Sequence, residues 1–295
     1  MILVTGATGH VGYHLAEDLA DAGADTTAMV RIDAKAADLP SGVGYLVGSL
    51  DAPPPAEVLQ QFDRIFLLSP AREQQVELEV VFLDAVVLAG HRPHIVKVAA
   101  DGFQDPDCPV RYMRNHRQIA VHLEATGLPA TYLAANMYME NLLADADVVR
   151  TTGELRAPAG DGRVAFVASS DVAGVAAHVL TADGHEDRTY VVTGPEALGF
   201  ADVAARMSAV FARQVDYADI PVEQARSDLR AAGLDPWDVD GTLEMYEWIR
   251  GGGTDTVTDE VTKATGEGPR PVEDWFSELR GAFVGRPEDA PPPSL

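Results

Sequence analysis

The chain has 295 residues, room for one large or two ordinary domains. Hydrophobic residues make up 46% and charged residues 23%, the balance of a globular protein with a sizeable core. The 22 basic residues stand against 46 acidic ones. The resulting formal charge of −24 repels phosphate backbones and anionic lipid, which argues against nucleic-acid and membrane partners. One cysteine, Cys108, makes neither an internal disulfide nor a thiolate metal site and suits a reducing cytoplasm. No basic leader precedes Met1-Ile2-Leu3-Val4 and no run of 18 apolar residues follows, so neither a signal peptide nor a membrane span is expected.

The first half alternates β-branched runs with amphipathic stretches, the pattern of βαβ units in a parallel sheet. Strands are expected at 1–5, 25–31, 43–47, 63–68, 94–99 and 129–134, with helices at 11–22, 55–61, 72–90 and 110–127. The helix over 72–90 is apolar on most sides and is expected to be buried. After residue 135 the alternation stops. A helix at 137–150, a loop with a short strand pair over 153–168, and a helix at 171–182 come next. A strand at 189–193 follows, then helices at 200–212, 221–232 and 236–250 and a last pair near 256–264 and 271–283. The fold class is therefore α/β, a doubly wound parallel sheet with a smaller, mostly helical lobe. The sheet domain is expected over 1–135 with 171–194 returning to it, the lobe over 136–285, and a disordered tail over 286–295.

Val4-Thr5-Gly6-Ala7-Thr8-Gly9-His10-Val11-Gly12 is the strongest motif. Its glycines follow a strand and open a helix: Gly6 for the tight turn, Gly9 for backbone approach to a pyrophosphate, Gly12 for close helix–sheet packing. The helix N-terminus adds partial positive charge toward an anion. Arg31 closes the second strand nineteen residues after Gly12. An arginine there suits the 2′-phosphate of NADPH, because a guanidinium forks onto phosphate. Asp33, two positions on, is the residue that would instead serve NAD.

Thr5 through Gly12, Arg31 and the strand end Leu67-Leu68-Ser69-Pro70 together resemble the NmrA-like, atypical short-chain dehydrogenase/reductase family. Gly127 to Leu133, Asn136 to Leu142, Asp171-Val172-Ala173 and Thr193 to Leu198 extend the resemblance over about 1–285, closest in type to the type 2 NADPH quinone oxidoreductases. The resemblance implies that the loops after strands one, two, four and five hold the cofactor: Thr5, Gly6, Thr8, Gly9, His10, Val11, Gly12, Arg31, Leu68, Ser69, Pro70, Ala99 and His116. It also implies that 134–170 and 195–285 roof the nicotinamide. Asp101, Phe103, Asn136, Met137, Tyr138 and Phe166 are the candidates for the substrate side; Asn136 alternatively bridges loops, and Met137 and Phe166 alternatively pack the lobe.

The wider superfamily carries Tyr-x-x-x-Lys after the fifth strand, and here the lysine position falls on His116, four residues after Tyr112. No lysine lies between 98 and 262. A tyrosine titrates near pH 10 unless a cation sits close, and a histidine is mostly neutral at pH 7. The pair Tyr112 and His116 is therefore a weakened acid and ribose relay, or else an ordinary half-exposed helix face. Electron-poor acceptors tolerate that weakness, since positioning supplies much of their reduction.

The reading is an NADPH-dependent reductase of a quinone or conjugated aromatic carbonyl compound. The partner is a small molecule; an oligomer is compatible with the sequence, and no histidine–carboxylate spacing asks for a metal. The rivals are a non-catalytic NADP(H)-sensing regulator acting through a protein partner and a cofactor-dependent isomerase or dehydratase.

Overall fold

The computed structural model describes residues 1–285. The expected tail over 286–295 lies outside the described residues. In chain order the first elements are β1 (Ile2–Val4), α1 (His10–Asp21), β2 (Thr26–Val30), β3 (Gly44–Val47), α2 (Ala56–Leu59) and β4 (Arg64–Leu67). Next come α3 (Gln75–Leu88), β5 (His94–Ala100), α4 (Arg111–Thr126) and β6 (Ala130–Ala135). The middle of the chain holds α5 (Ala146–Thr152), β7 (Glu154–Ala157), β8 (Arg163–Val164), α6 (Ser169–Thr181), β9 (Arg188–Val192) and β10 (Leu198–Gly199). Then follow α7 (Phe200–Phe211), β11 (Asp216–Asp219), α8 (Val222–Ala231) and α9 (Pro236–Arg250), and last α10 (Glu260–Thr265), α11 (Val272–Glu278) and α12 (Arg280–Val284).

The chain divides into two compact units. The first comprises Met1–Ala135, Ser169–Val192 and Thr258–Gly268. Its seven strands run in the order β3-β2-β1-β4-β5-β6-β9, every neighbouring pair parallel. Strand order reverses between β1 and β4, so the crevice beyond their carboxyl ends is the place where such a sheet takes a ligand. The inner strands are apolar on both faces: Leu3, Val4, Ile65, Phe66, Leu67, Ile95, Val96 and Leu133 are buried.

Two expectations about this unit change. The helix over 72–90 starts at Gln75 and is not buried all round, since Val81, Val87 and especially Leu88, 84% exposed, face solvent. Its buried stripe instead carries two polar residues, Gln75 and Glu79. The segment 258–268 belongs here and not with the lobe: Thr258 Oγ1 donates to the Val191 carbonyl at 2.5 Å, and Val261 is buried.

The second unit comprises Asn136–Ala168, Thr193–Val257 and, from Pro269, the remaining chain as far as it is described. Its core joins Met139, Leu142, Phe166, Phe200, Phe211, Trp275, Phe276 and Phe283. The helix expected at 137–150 begins later. Residues 137 and 138 are extended, because Val167 N–H donates to the Met137 carbonyl at 3.0 Å and Met139 N–H to the Val167 carbonyl at 2.9 Å. A 3-10 turn over Met139–Asp145 then leads into α5. The two short strands expected within 153–168 do not pair with each other: β7 pairs parallel with β11, and β8 antiparallel with β10. Among the described residues no helix is long and apolar enough to cross a membrane.

Candidate active site

β1 delivers the glycine loop to the switch point. Gly6 takes φ +66°, a conformation that L side chains resist, and a Cβ on Gly12 would collide with the Gly6 carbonyl. Gly9 N–H donates to the Gly6 carbonyl at 2.9 Å and closes the turn, and no side chain caps α1 at Gly9. The first-turn N–H groups of His10, Val11 and Gly12 are therefore left for an anion. Thr8, Gly9 and His10 are exposed, whereas Val11 and Gly12 are buried against the sheet. Thr5 differs from its expected part. Its hydroxyl donates to the Leu68 carbonyl at 3.0 Å and accepts from Leu68 N–H at 2.8 Å, so it ties the β1 loop to the β4 end and has spent its O–H donor there.

Arg31 follows β2, is exposed, and has no hydrogen bond or ion pair among the described residues. Asp33 accepts a hydrogen bond from the Tyr45 hydroxyl at 2.9 Å, so the acidic alternative is already engaged. Asp51 is held below the usual carboxylate range chiefly by a hydrogen bond from Ser49, and it also feels the positive charges of Arg72 and Arg31. Two guanidinium groups therefore share one neighbourhood at the rim. Arg72 was missed in the sequence; its signal was an arginine two residues after the Leu68-Ser69-Pro70 turn.

Behind the rim lies a buried polar cluster. Ser69 Oγ donates to Glu79 Oε1 at 2.6 Å, and Gln75 Nε2 to the same oxygen at 3.4 Å. Lys97 Nζ lies 3.2 Å from Glu79 Oε2, an ion-pair contact off the line of an ideal hydrogen bond, and 3.3 Å from His116 Nδ1. It also donates to the Val98 carbonyl. Burial pushes the Glu79 carboxyl up and the Lys97 ammonium down, and each partner opposes the other's shift. Burial first, then the Lys97 charge, holds His116 well below its ordinary range.

Two expectations are corrected here. Ser69 spends its hydroxyl inward on Glu79 and Leu68 its N–H on Thr5, leaving the turn only its remaining backbone groups and the proline ring. His116 is buried, not half-exposed, while Tyr112 in the first turn of α4 is half-buried. The sequence reading missed Glu79, Gln75 and Lys97 because it counted α3 as apolar and searched for a lysine only after residue 98.

Ala99 is buried near the end of β5. Asp101 is half-buried, and burial raises its carboxyl pKa. Phe103 is 3% exposed and packs on Tyr132 with ring centroids 5.4 Å apart, so it is a core residue of the first unit.

In the second unit, Asn136 is corrected to a bridging residue. Its Nδ2 donates to the Thr254 carbonyl at 3.1 Å and its Oδ1 accepts from Met137 N–H at 2.7 Å. Phe166, 2% exposed, packs edge-on against Phe200 and is likewise core. Met137 and Tyr138 remain half-buried. The Tyr138 hydroxyl is enclosed, lacks a hydrogen-bond partner among the described residues, and has its pKa raised by burial. Asp145 carries no hydrogen bond or ion pair among the described residues, and burial pushes its carboxyl up to about 7.

The model of the NmrA-like family matches residues 1–275. An NAD(P)H azoreductase of Xenophilus azovorans is 34% identical over 286 residues, 96% of this chain and 99% of that protein. Quinone oxidoreductase 2 of Escherichia coli is 28% identical over 252 residues, 83% of this chain and 85% of that protein. Among solved structures, the Escherichia coli NADPH-dependent quinone oxidoreductase in complex with NADPH superposes with a TM-score of 0.85 at 24% identity, covering 95% of this chain and all of the other. Triphenylmethane reductase of Citrobacter sp. in complex with NADP(H) gives 0.81 at 24% identity, over 96% of this chain and all of the other. With a family model spanning nearly the whole described chain and a relative at 34% identity end to end, the chain belongs to the NmrA-like family.

Proposed function

We propose that this protein is an NADPH-dependent reductase that passes hydride to a quinone or a comparably electron-poor conjugated acceptor. One observation carries the cofactor choice. Arg31 stands exposed and unpaired after β2, while one oxygen of Asp33 already accepts from Tyr45. The glycine turn has the close approach that a pyrophosphate needs, and the uncapped α1 terminus supplies donors for it. When bound, the dihydronicotinamide supplies the hydride. The chain's own contribution is to hold it: the loop N–H groups on the pyrophosphate, Arg31 with Arg72 beside it on the 2′-phosphate, and His116 at the ribose.

The names of the relatives support the acceptor class, since azo and quinone compounds are electron-poor π systems. Such acceptors place little negative charge on a strongly basic oxygen, so they need no activated acid. This suits a Tyr112 whose partner at the lysine position is an uncharged histidine. The relatives are oxidoreductases, which favours neither the regulator nor the isomerase reading.

NADPH oxidation measured against quinones, azo dyes, enones and simple ketones, with a control lacking acceptor, tests the reading. Turnover is expected with quinones or azo dyes and little with ketones. Tyr112→Phe should slow quinone reduction far less than the roughly 10²–10⁴-fold typical of losing general acid catalysis. Tight NADPH binding with no acceptor reduced would overturn the assignment.

A further inference from the structure

The superfamily lysine is replaced by His116, yet a lysine reaches that position from another strand. An ammonium has three N–H donors and no acceptor. Lys97 Nζ donates to the Val98 carbonyl, faces Glu79 Oε2 at 3.2 Å as an ion pair, and lies 3.3 Å from His116 Nδ1. Because the ammonium carries no lone pair, a hydrogen bond at that last contact requires His116 Nδ1 to be the acceptor. At the other end of the cluster Glu79 Oε1 accepts from both Ser69 and Gln75, which leaves Oε2 as the oxygen that faces Lys97. The charged groups facing His116 are thus Lys97 from β5 and, through it, Glu79 from α3.

We infer that Lys97 is a positioning residue that fixes His116 as a neutral imidazole protonated on Nε2, a permanent hydrogen-bond donor at the place where relatives of the wider superfamily carry lysine. A proton on Nδ1 would point at an ammonium, and a doubly protonated ring would set two cations in contact, so both alternatives are disfavoured. The cation is kept one residue away from the surface of the site, and the imidazole presents a donor whose state does not change with pH. That this donor serves the nicotinamide ribose rests on the function proposed above; the tautomer does not.

The experiment is nitrogen-15 NMR of the histidine rings in the whole protein, with the His116 signals assigned by their loss in His116→Gln. The wild type should show Nδ1 unprotonated and Nε2 protonated, with no titration from about pH 5.5 to 8.5, the range in which an ordinary histidine changes charge. An Nδ1-protonated ring, or a titration near 6.5, overturns the inference on the wild-type spectrum alone, whatever the variants do. The paired exchange Lys97→Met with Glu79→Gln removes the donor without stranding a buried carboxylate. It should release the tautomer preference and weaken NADPH binding by up to about tenfold, one hydrogen bond's contribution. An unchanged tautomer in a folded double variant also overturns the role of Lys97. If the tautomer is as inferred but NADPH leaves the His116 shifts untouched, the positioning by Lys97 stands and the ribose reading falls.

Discussion

Thr5 and Leu68 exchange two hydrogen bonds across the switch point, one from the threonine hydroxyl to the Leu68 carbonyl and one from Leu68 N–H back to the hydroxyl. A single side chain thereby satisfies both backbone groups of the neighbouring turn. Thr5→Val, close to isosteric, would leave both without this partner in a partly buried setting, at a cost of at most about 1–3 kcal/mol for each group. The expected result is a lower urea midpoint together with weaker NADPH binding, whereas Thr5→Ser should keep most of both.

Arg31 and Asp33 make opposite predictions for the same rim. Arg31→Ala should cost NADPH about 1.5–3 kcal/mol of binding free energy and leave NADH nearly unchanged, the usual range for a hydrogen bond to a charged group. Asp33→Ala should alter neither affinity much, because Asp33 Oδ1 is held by the Tyr45 hydroxyl and Arg31 carries the choice of cofactor. Titration calorimetry with both cofactors decides the matter; equal wild-type affinities would remove Arg31 from the site.

The buried ion pair should punish single substitutions more than paired ones. Glu79→Leu leaves the Lys97 ammonium buried without its carboxylate, and breaking such a pair typically costs about 3–5 kcal/mol. Replacing Lys97 by Met in the same chain should recover much of that loss in thermal denaturation. His116→Lys, which would restore the superfamily spelling, should likewise lower the melting temperature and gain no activity, because it sets a second ammonium against Lys97.

Asp145 gives the stability a pH dependence of known sign. Its folded pKa of about 7 lies above the ordinary 3.8, so the folded state favours the protonated form. The associated stability is present in full below about pH 4 and is lost as pH rises toward 7, by at most about 4 kcal/mol. Asp145→Asn should therefore raise the melting temperature at pH 8 and change it little at pH 4. A variant equally stable at both would contradict the burial of this carboxyl.

The parallel sheet and the glycine loop were legible because each has a local signature: β-branched runs at regular spacing, and glycines at spacing three directly after a strand. The substrate-side residues were less so. Phe103 and Phe166 are aromatic residues near the expected site, but nothing in a sequence tells an aromatic that faces a ligand from one that packs on Tyr132 or Phe200. Lys97 and Glu79 were hidden for a different reason. Lys97 lies inside an apolar strand and Glu79 inside a mostly apolar helix, 18 residues apart in sequence, and only the pairing of β4 with β5 and the packing of α3 bring them together. The break at 137–138 was illegible as well, since the partner that holds those residues extended, Val167, lies some 30 residues later.

The interrupted course of the chain bears on how the protein can be made. β6 is complete at Ala135, but the strand that covers its outer edge, β9, begins only at Arg188. Until that stretch leaves the ribosome, β6 presents a row of unpaired backbone groups, the template on which strands of other molecules add. The last piece of the same unit, Thr258–Gly268, arrives later still. A fragment cut at residue 135 would carry the entire glycine loop and the exposed arginine and yet end on an open sheet edge. Fragments meant to isolate the nucleotide-binding half should therefore be drawn through Gly268, with the intervening lobe kept.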